Sequence, residues 1–437
     1  MVKERIRFDL FGHSHFVRLL TLRWTSQGMD GLYQSALASF VLFSPERQAT
    51  AGAAAGAFAL MLLPYSLVGP FIGTILDRFP RRQIVLAANA IRALDLLVVA
   101  YLLVKGSTGA IFVVTVLIAF GINRLILAGL SAGLPRLVER EILVAANALA
   151  VTGGTVASVV GGALGYFVRR IFEGFFISDS ADGFLVLMAS FGYLIAALLA
   201  LRLRRDSLGP NSHELAVAHD RRVVVDGLID LGSGIRYLRS KTDSSLAMIA
   251  VSIQRGGLTA LTVAALLMER NFFHDPKFPD RGLAGLATVI TGAGIGVVVG
   301  AVITPPIVQR LGRHRWLRIN MAFGALPALL IAWSSALTLP LLALWVSACG
   351  QAVKVTCDAL VQHHVEDAFR GRVFAVYDVV VNVFIVIGAW LAAQIIAPTG
   401  RGALVPVAVA LVFVGYSTLL TGRRFKPDLP TTSSTLR

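Results

Sequence analysis

The chain has 437 residues, of which 56% are hydrophobic and only 15% charged, with a mean hydropathy of +0.74. A soluble domain is about 45–50% apolar and about 25% charged, so this composition excludes an ordinary soluble protein and points to one that crosses a membrane many times. The net charge of +15 is carried in short basic clusters between apolar runs. Those clusters lack the aromatic interleaving that stacks bases, which excludes nucleic acid as the partner and leaves membrane topology as their explanation.

The chain starts with "MVKERIRFDLFGHSHF", which mixes both charge signs, leads into no cleavable apolar core, and reads as a short cytoplasmic arm. Twelve apolar runs follow, over 17–43, 50–76, 83–104, 109–134, 144–168, 183–201, 244–268, 283–308, 316–336, 339–363, 373–397 and 402–421. They are continuous rather than alternating, which predicts membrane helices and not barrel strands. The predicted fold is therefore all-α and integral to the membrane, with two six-helix bundles at 1–201 and 244–437 and a cytoplasmic linker at 202–243. Cys349 and Cys357 on span 10 sit roughly 12 Å apart along a helix axis, beyond disulfide reach.

Loop charge sets the orientation. With the N-terminus inside, 26 basic residues fall in inner segments, including Arg78, Arg81, Arg82, Arg310, Arg313, Arg370 and Arg372. The outer segments hold eight: Arg47, Lys105, Arg169, Arg170, Arg270, Lys277, Arg281 and Arg401. The positive-inside rule puts both termini in the cytoplasm, and the inner membrane of a bacterium is the expected location. Within the linker, Val224, Leu228, Leu231, Ile235 and Leu238 recur at helical spacing. That pattern fits an amphipathic helix on the inner leaflet or one packed on the ends of the bundle equally well.

The two halves echo each other. "LDRFPRR" after span 2 resembles "VQRLGRH" after span 8, and "LVERE" at 137–141 stands where "HVEDA" stands at 364–368. Similar offsets at two separate loops argue for a duplicated six-helix unit, a symmetry common in secondary transporters.

The stretch "GTILDRFPRR" (73–82) interrupts this oil with one acid and three arginines. Arginines alone would make a topological anchor, but Gly73 and Asp77 ask for more. Gly73 allows another helix to come close, and Asp77 at a helix end can pair with a helix N-terminus or an arginine. Gly73, Asp77, Arg78, Arg81 and Arg82 resemble the signature between helices 2 and 3 of the major facilitator superfamily, with Pro80 where that family usually has glycine. The resemblance implies that this loop latches the two halves together in the outward-facing state, here against the region of Gly371–Phe374. "LPRLVEREILVAANAL" (134–149) and "LVQHHVEDAFRGRVFAVYD" (360–378) further resemble the branch that exports macrolides, siderophores and lysophospholipids.

Ionisable residues deep in a span are expensive and mark function by default. Asp30, Arg124 and Arg255 lie near the middle of spans 1, 4 and 7, and Lys354 with Asp358 lies at and just below the middle of span 10. The resemblance implies that these four helices line a central cavity, so the five residues are the candidate substrate and ion pathway. Asp30 and Arg124 are expected to pair, because both fall near mid-depth in the same half. Arg92 with Asp95, and Asp378 with Asn382, are secondary pairs placed nearer the cytoplasm. The five pathway charges sum to a weak positive excess, which suits an anionic or zwitterionic substrate, and Trp24, Tyr33 and Phe40 could support an amphipathic one.

Other motifs carry less. The glycines of span 5 (Gly153, Gly154, Gly161, Gly162, Gly165) serve close packing, since the span lacks the proline of the family's drug–proton antiporters. "TGAGIG" in span 8 follows no strand, and His363 and His364 have no metal-ligand spacing. With no Walker or Gly-x-Ser-x-Gly sequence, the reading is a secondary transporter and not an enzyme. It is expected to act as a monomer in contact with lipid, to need no cofactor or metal, and to export a small molecule in exchange for protons. Import of organic anions, or a scaffold or sensor role without transport, stay open as alternatives.

Overall fold

A computed structural model of the chain describes residues 12–40, 52, 56, 69, 71–139, 142–175, 178–210, 223–275 and 279–421. Its helices are α1 (Ser14–Ala38), α2 (Arg81–Val104), α3 (Ala110–Gly133), α4 (Leu143–Glu173), α5 (Ser178–Ala200) and α6 (Val223–Ser240). They continue as α7 (Thr242–Asn271), α8 (Pro279–Leu311), α9 (Arg313–Leu330), α10 (Leu339–His364), α11 (Asp367–Ile395) and α12 (Leu404–Thr421). Residues 71–78 are also helical and end predicted span 2, most of whose earlier part lies outside the described residues. So do the N-terminal arm, the middle of the linker and the tail.

Ten of the described helices are long and apolar enough to cross a membrane. α1 is the exception that matters. It carries Arg18, which is exposed, and Arg23 and Asp30, which are buried inside the protein rather than facing lipid, and these charges lower its hydropathy.

The described helices form two compact units that divide at Gly232 and Ser233, within α6. In the first, α1 packs on α4 and α2 packs on α5 and α3. In the second, α7 packs on α11, and α9 on α12 and α10. In span order these are the same pairings, first with fifth and third with sixth and fourth, so both units follow one plan. With the predicted span 2 they make the twelve-helix, six-plus-six architecture.

The first-with-fifth crossings are built from missing side chains. A Cβ on Gly161 would overlap the carbonyl oxygen of Gly28, and one on Gly31 would overlap that of Ser158. In the second unit a Cβ on Gly388 would overlap the carbonyl oxygen of Gly256. Gly256 and Gly388 stand 228 and 227 residues after Gly28 and Gly161, so the duplication inferred from the loops is repeated in the packing.

The second unit receives the end of the linker. Tyr237 of α6 stacks on Phe369 with ring centroids 4.4 Å apart and accepts a hydrogen bond from the Glu366 backbone N–H at 3.2 Å. Leu238 is buried, whereas Val225, Leu228 and Ile229 are exposed. One end of this amphipathic helix is thus packed on a bundle, and the other offers its apolar residues outward.

Candidate functional site

The two larger apolar clusters described in the first unit lie one around Phe16, Val85 and Ile126, the other around Tyr33, Leu96 and Phe120. Between them lies a charged centre. Arg92 of α2 is 0% exposed and donates to Asp30 Oδ1 of α1 at 2.5 Å. Tyr193 of α5 donates to the same oxygen at 3.4 Å, while Asn123 of α3 and Gln34 each donate to Oδ2 at 2.9 Å. The guanidinium also lies 4.4 Å from the Tyr193 ring centroid and 5.8 Å from that of Tyr33. Four helices thus converge on one neutral pair, and both carboxylate oxygens are satisfied, as a buried charge requires.

This corrects three expectations. Asp30 pairs with Arg92 rather than Arg124; α3 reaches it through Asn123, and the next residue points about 100° away around the helix. Arg92 makes its salt bridge to Asp30 and not to Asp95: its guanidinium turns inward and acts on half-buried Asp95 only through its charge, leaving one carboxylate oxygen there unbonded. Tyr33 and Phe40 are 0% exposed in the apolar core and offer no surface to a ligand. Asn123, Gln34 and Tyr193 escaped sequence reasoning because neutral polar residues in a span carry no charge signal.

The second unit has an open counterpart. Lys354 Nζ lies 2.5 Å from Asp358 Oδ2 on α10, with side-chain exposures of 36% and 28%. Tyr377 of α11 donates to Asp358 Oδ1 at 2.8 Å, and Lys354 Nζ sits 5.6 Å from the Tyr377 ring centroid. Arg255 of α7, half-buried, donates to Gln351 Oε1 at 3.4 Å. Lys354 and Asp358 therefore pair as their spacing predicts, and α7 and α10 bring Arg255 to the same residues through Gln351. Asp378 and Asn382 lie half-buried further along α11, beside a tyrosine that the sequence reading passed over. Arg124 is half-buried on α3.

The basic turn before α2 works as a clamp inside the first unit. Arg81 Nη1 donates to the carbonyl oxygens of Ala132 at 3.0 Å and Leu208 at 3.3 Å. Arg82 Nε donates to that of Ala200 at 3.2 Å and its Nη2 to that of Leu201 at 3.4 Å. The carbonyls of Ala132, Ala200 and Leu201 belong to the C-terminal ends of α3 and α5, where orphan acceptors and the helix dipole favour a cation. Asp77 lies 3.5 Å from Arg81 Nη2 with its side chain 48% exposed, and Arg78 sits 5.9 Å from the Phe79 ring centroid. Pro80 is the N-cap residue of α2 and accepts from the Ile84 N–H at 3.1 Å. A proline is at home at a helix start, where its missing N–H would find no partner, so its departure from the signature costs the turn nothing. Among the described residues no helix approaches Gly73 closely, since a Cβ there would meet nothing within 4 Å.

Residues 24–389 match the Major Facilitator Superfamily. The chain belongs to that superfamily. It is a multi-pass membrane transporter and not an enzyme. It is 32% identical over 422 residues to a protein of Mycobacterium tuberculosis described as an uncharacterized MFS-type transporter, covering 94% of this chain and 92% of that one. It is 26% identical over 308 residues to the multidrug resistance protein 2 of Bacillus subtilis, covering 68% of each. Among solved structures, the nucleoside transporter NupG aligns with a TM-score of 0.62 at 13% identity, covering 94% of this chain and 98% of that one. At that identity the superfamily likeness speaks for the fold alone.

Proposed function

We propose that this superfamily member is a secondary active exporter of the bacterial cytoplasmic membrane, moving an anionic or amphipathic small molecule outward in exchange for protons by alternating access. The observation that carries the reading is the partly exposed Lys354–Asp358 pair on α10, with Arg255 alongside on α7. An ion pair that only fastened helices would be closed off, as Asp30 and Arg92 are. Exposure within a span leaves these cations free to exchange a protein partner for a ligand carboxylate or phosphate.

With Asp30 neutralised by Arg92, the second unit sets two cations, Arg255 and Lys354, beside the single acid Asp358. That balance favours an anion over a cationic drug. The Bacillus relative, named for multidrug resistance, supports outward transport. The excess of basic residues in alternate loops supports cytoplasmic termini. In this reading residues 1–201 and 244–437 are the moving bundles of a monomer, 202–243 is their cytoplasmic linker, and Asp77 with Arg78, Arg81 and Arg82 forms the latch.

The test is a thermal-shift comparison on the purified protein with lysophosphatidic acid as an anionic amphiphile and ethidium as a cationic one. A ligand of the folded state raises its melting temperature. Lysophosphatidic acid should raise it in the wild type and not in Arg255→Gln. Stabilisation by ethidium alone would overturn the anionic assignment.

A further inference from the structure

The last turn of α7, at the end remote from α6, holds an acid that the pathway does not use. Glu269 is 0% exposed, and neither of its carboxylate oxygens has a hydrogen-bond partner among the described residues. Two glycines of α8 press this turn closed. A Cβ on Gly282 would come within 3.2 Å of the Glu269 carbonyl oxygen, and one on Gly285 would overlap carboxylate Oε2. A carboxylate buried without hydrogen bonds is costly in its charged form and far less so when protonated.

The charged groups described at this end are Arg270 beside it on α7, His274 and Asp275 in the following turn, Asp280 and Arg281 in the first turn of α8, and Arg401 after α11, whose guanidinium lies over the Phe272 ring. Among the described basic groups only His274 comes within ion-pair distance, its Nδ1 lying 3.4 Å from Oε2 and 3.0 Å from the Glu269 carbonyl oxygen. The imidazole side chain is 26% exposed against 1% for the carboxylate. It therefore stands between the buried acid and the solvent, and imidazole is the side chain that exchanges protons near neutrality.

We propose that Glu269 is a proton-binding site at this end of the second unit, loaded and unloaded through His274. In the loading step Nε2 takes a proton from hydronium, releasing water, while Nδ1 gives its proton to Oε2. The ring ends neutral as the other tautomer, and the carboxylate becomes a neutral carboxylic acid. In the orientation proposed above this end faces the periplasm, the side from which a proton-driven exporter must draw its protons. The coupling role rests on that reading, whereas the site itself does not.

Infrared difference spectra of the reconstituted full-length protein, recorded across a pH titration, test the site directly. The wild type should show the carbonyl stretch of a protonated carboxyl that fades as pH rises. Glu269→Gln, which keeps the shape of the side chain, should lose that band. His274→Gln should keep the band and shift its midpoint, because the facing imidazole is gone. A band unchanged in Glu269→Gln, or no such band in the wild type, overturns the proposal. The exporter reading fails separately, if everted vesicles carrying the wild type release no protons when lysophosphatidic acid is added.

Discussion

Arg92 and Asp30, 62 positions apart in the sequence, close into a salt bridge from which solvent is excluded, 2.5 Å across and roofed by the Tyr193 ring. Removing one member leaves the other charged and buried, so Arg92→Ala is expected to cost about 3–5 kcal/mol of stability. Arg92→Met combined with Asp30→Asn should recover most of that loss, because no net charge is then stranded. Denaturation of the detergent-solubilised protein reads both. A coupling between Asp30 and Arg124 as large as that between Asp30 and Arg92 would refute the assignment.

The glycine crossings predict a sharp contrast. Gly161→Ala pushes a methyl into the backbone of Gly28. Its cost should exceed the about 1–3 kcal/mol usual for overpacking, because a carbonyl cannot rotate aside like a side chain. Gly73→Ala meets open space and should leave the melting temperature unchanged. Equal losses of folded protein on size-exclusion chromatography would contradict the packing described.

At the basic turn, stability and transport should separate. Asp77 is half-exposed and its bridge to Arg81 is long, so Asp77→Asn should change stability by no more than about 1 kcal/mol. If the turn is a latch, the same variant should still lose transport of lysophosphatidic acid in proteoliposomes. Arg82→Ala removes a cation from the end of α5 and should cost about 1 kcal/mol. Wild-type transport by Asp77→Asn would remove the latch from the mechanism.

Topology can be read without altering the native thiols, because Cys349 and Cys357 are buried. Cysteines at Phe175 and Leu337, 79% and 87% exposed, should react with an impermeant maleimide from outside the cell. Ones at Arg315 and Glu366, also exposed, should not. Asp182, which loop charge alone would make an outer marker, is unsuitable. It is 0% exposed and accepts from Arg169 Nε at 2.8 Å. The reverse labelling pattern would invert the proposed direction of transport.

The helices were legible because hydropathy reports the apolar window of a span directly. Their ends were less so. α4, α8 and α11 run on past the predicted spans to Glu173, Leu311 and back to Asp367, since backbone hydrogen bonding does not stop where lipid does. Lys354 and Asp358 were legible as partners because a four-residue separation fixes their geometry on one helix. Arg92 and Asp30 were not, because depth alone leaves the facing direction open, and Arg124 lies at a suitable depth too. Glu269 was hidden by its neighbour Arg270, which made the end of span 7 read as ordinary loop charge. Nothing in the order of residues says which of two adjacent side chains is shut inside.

The paired crossings of Gly28 with Gly161 and of Gly256 with Gly388 bear on how such a molecule could arise. After a gene duplicates, a contact made by two matched side chains must be renegotiated in each copy whenever one partner drifts. A contact made by bare backbone asks only that nothing be added. The surrounding residues of the two halves could therefore part company, one filling its interior with a sealed ion pair and the other leaving its charges partly open, while both kept the same inherited pivot.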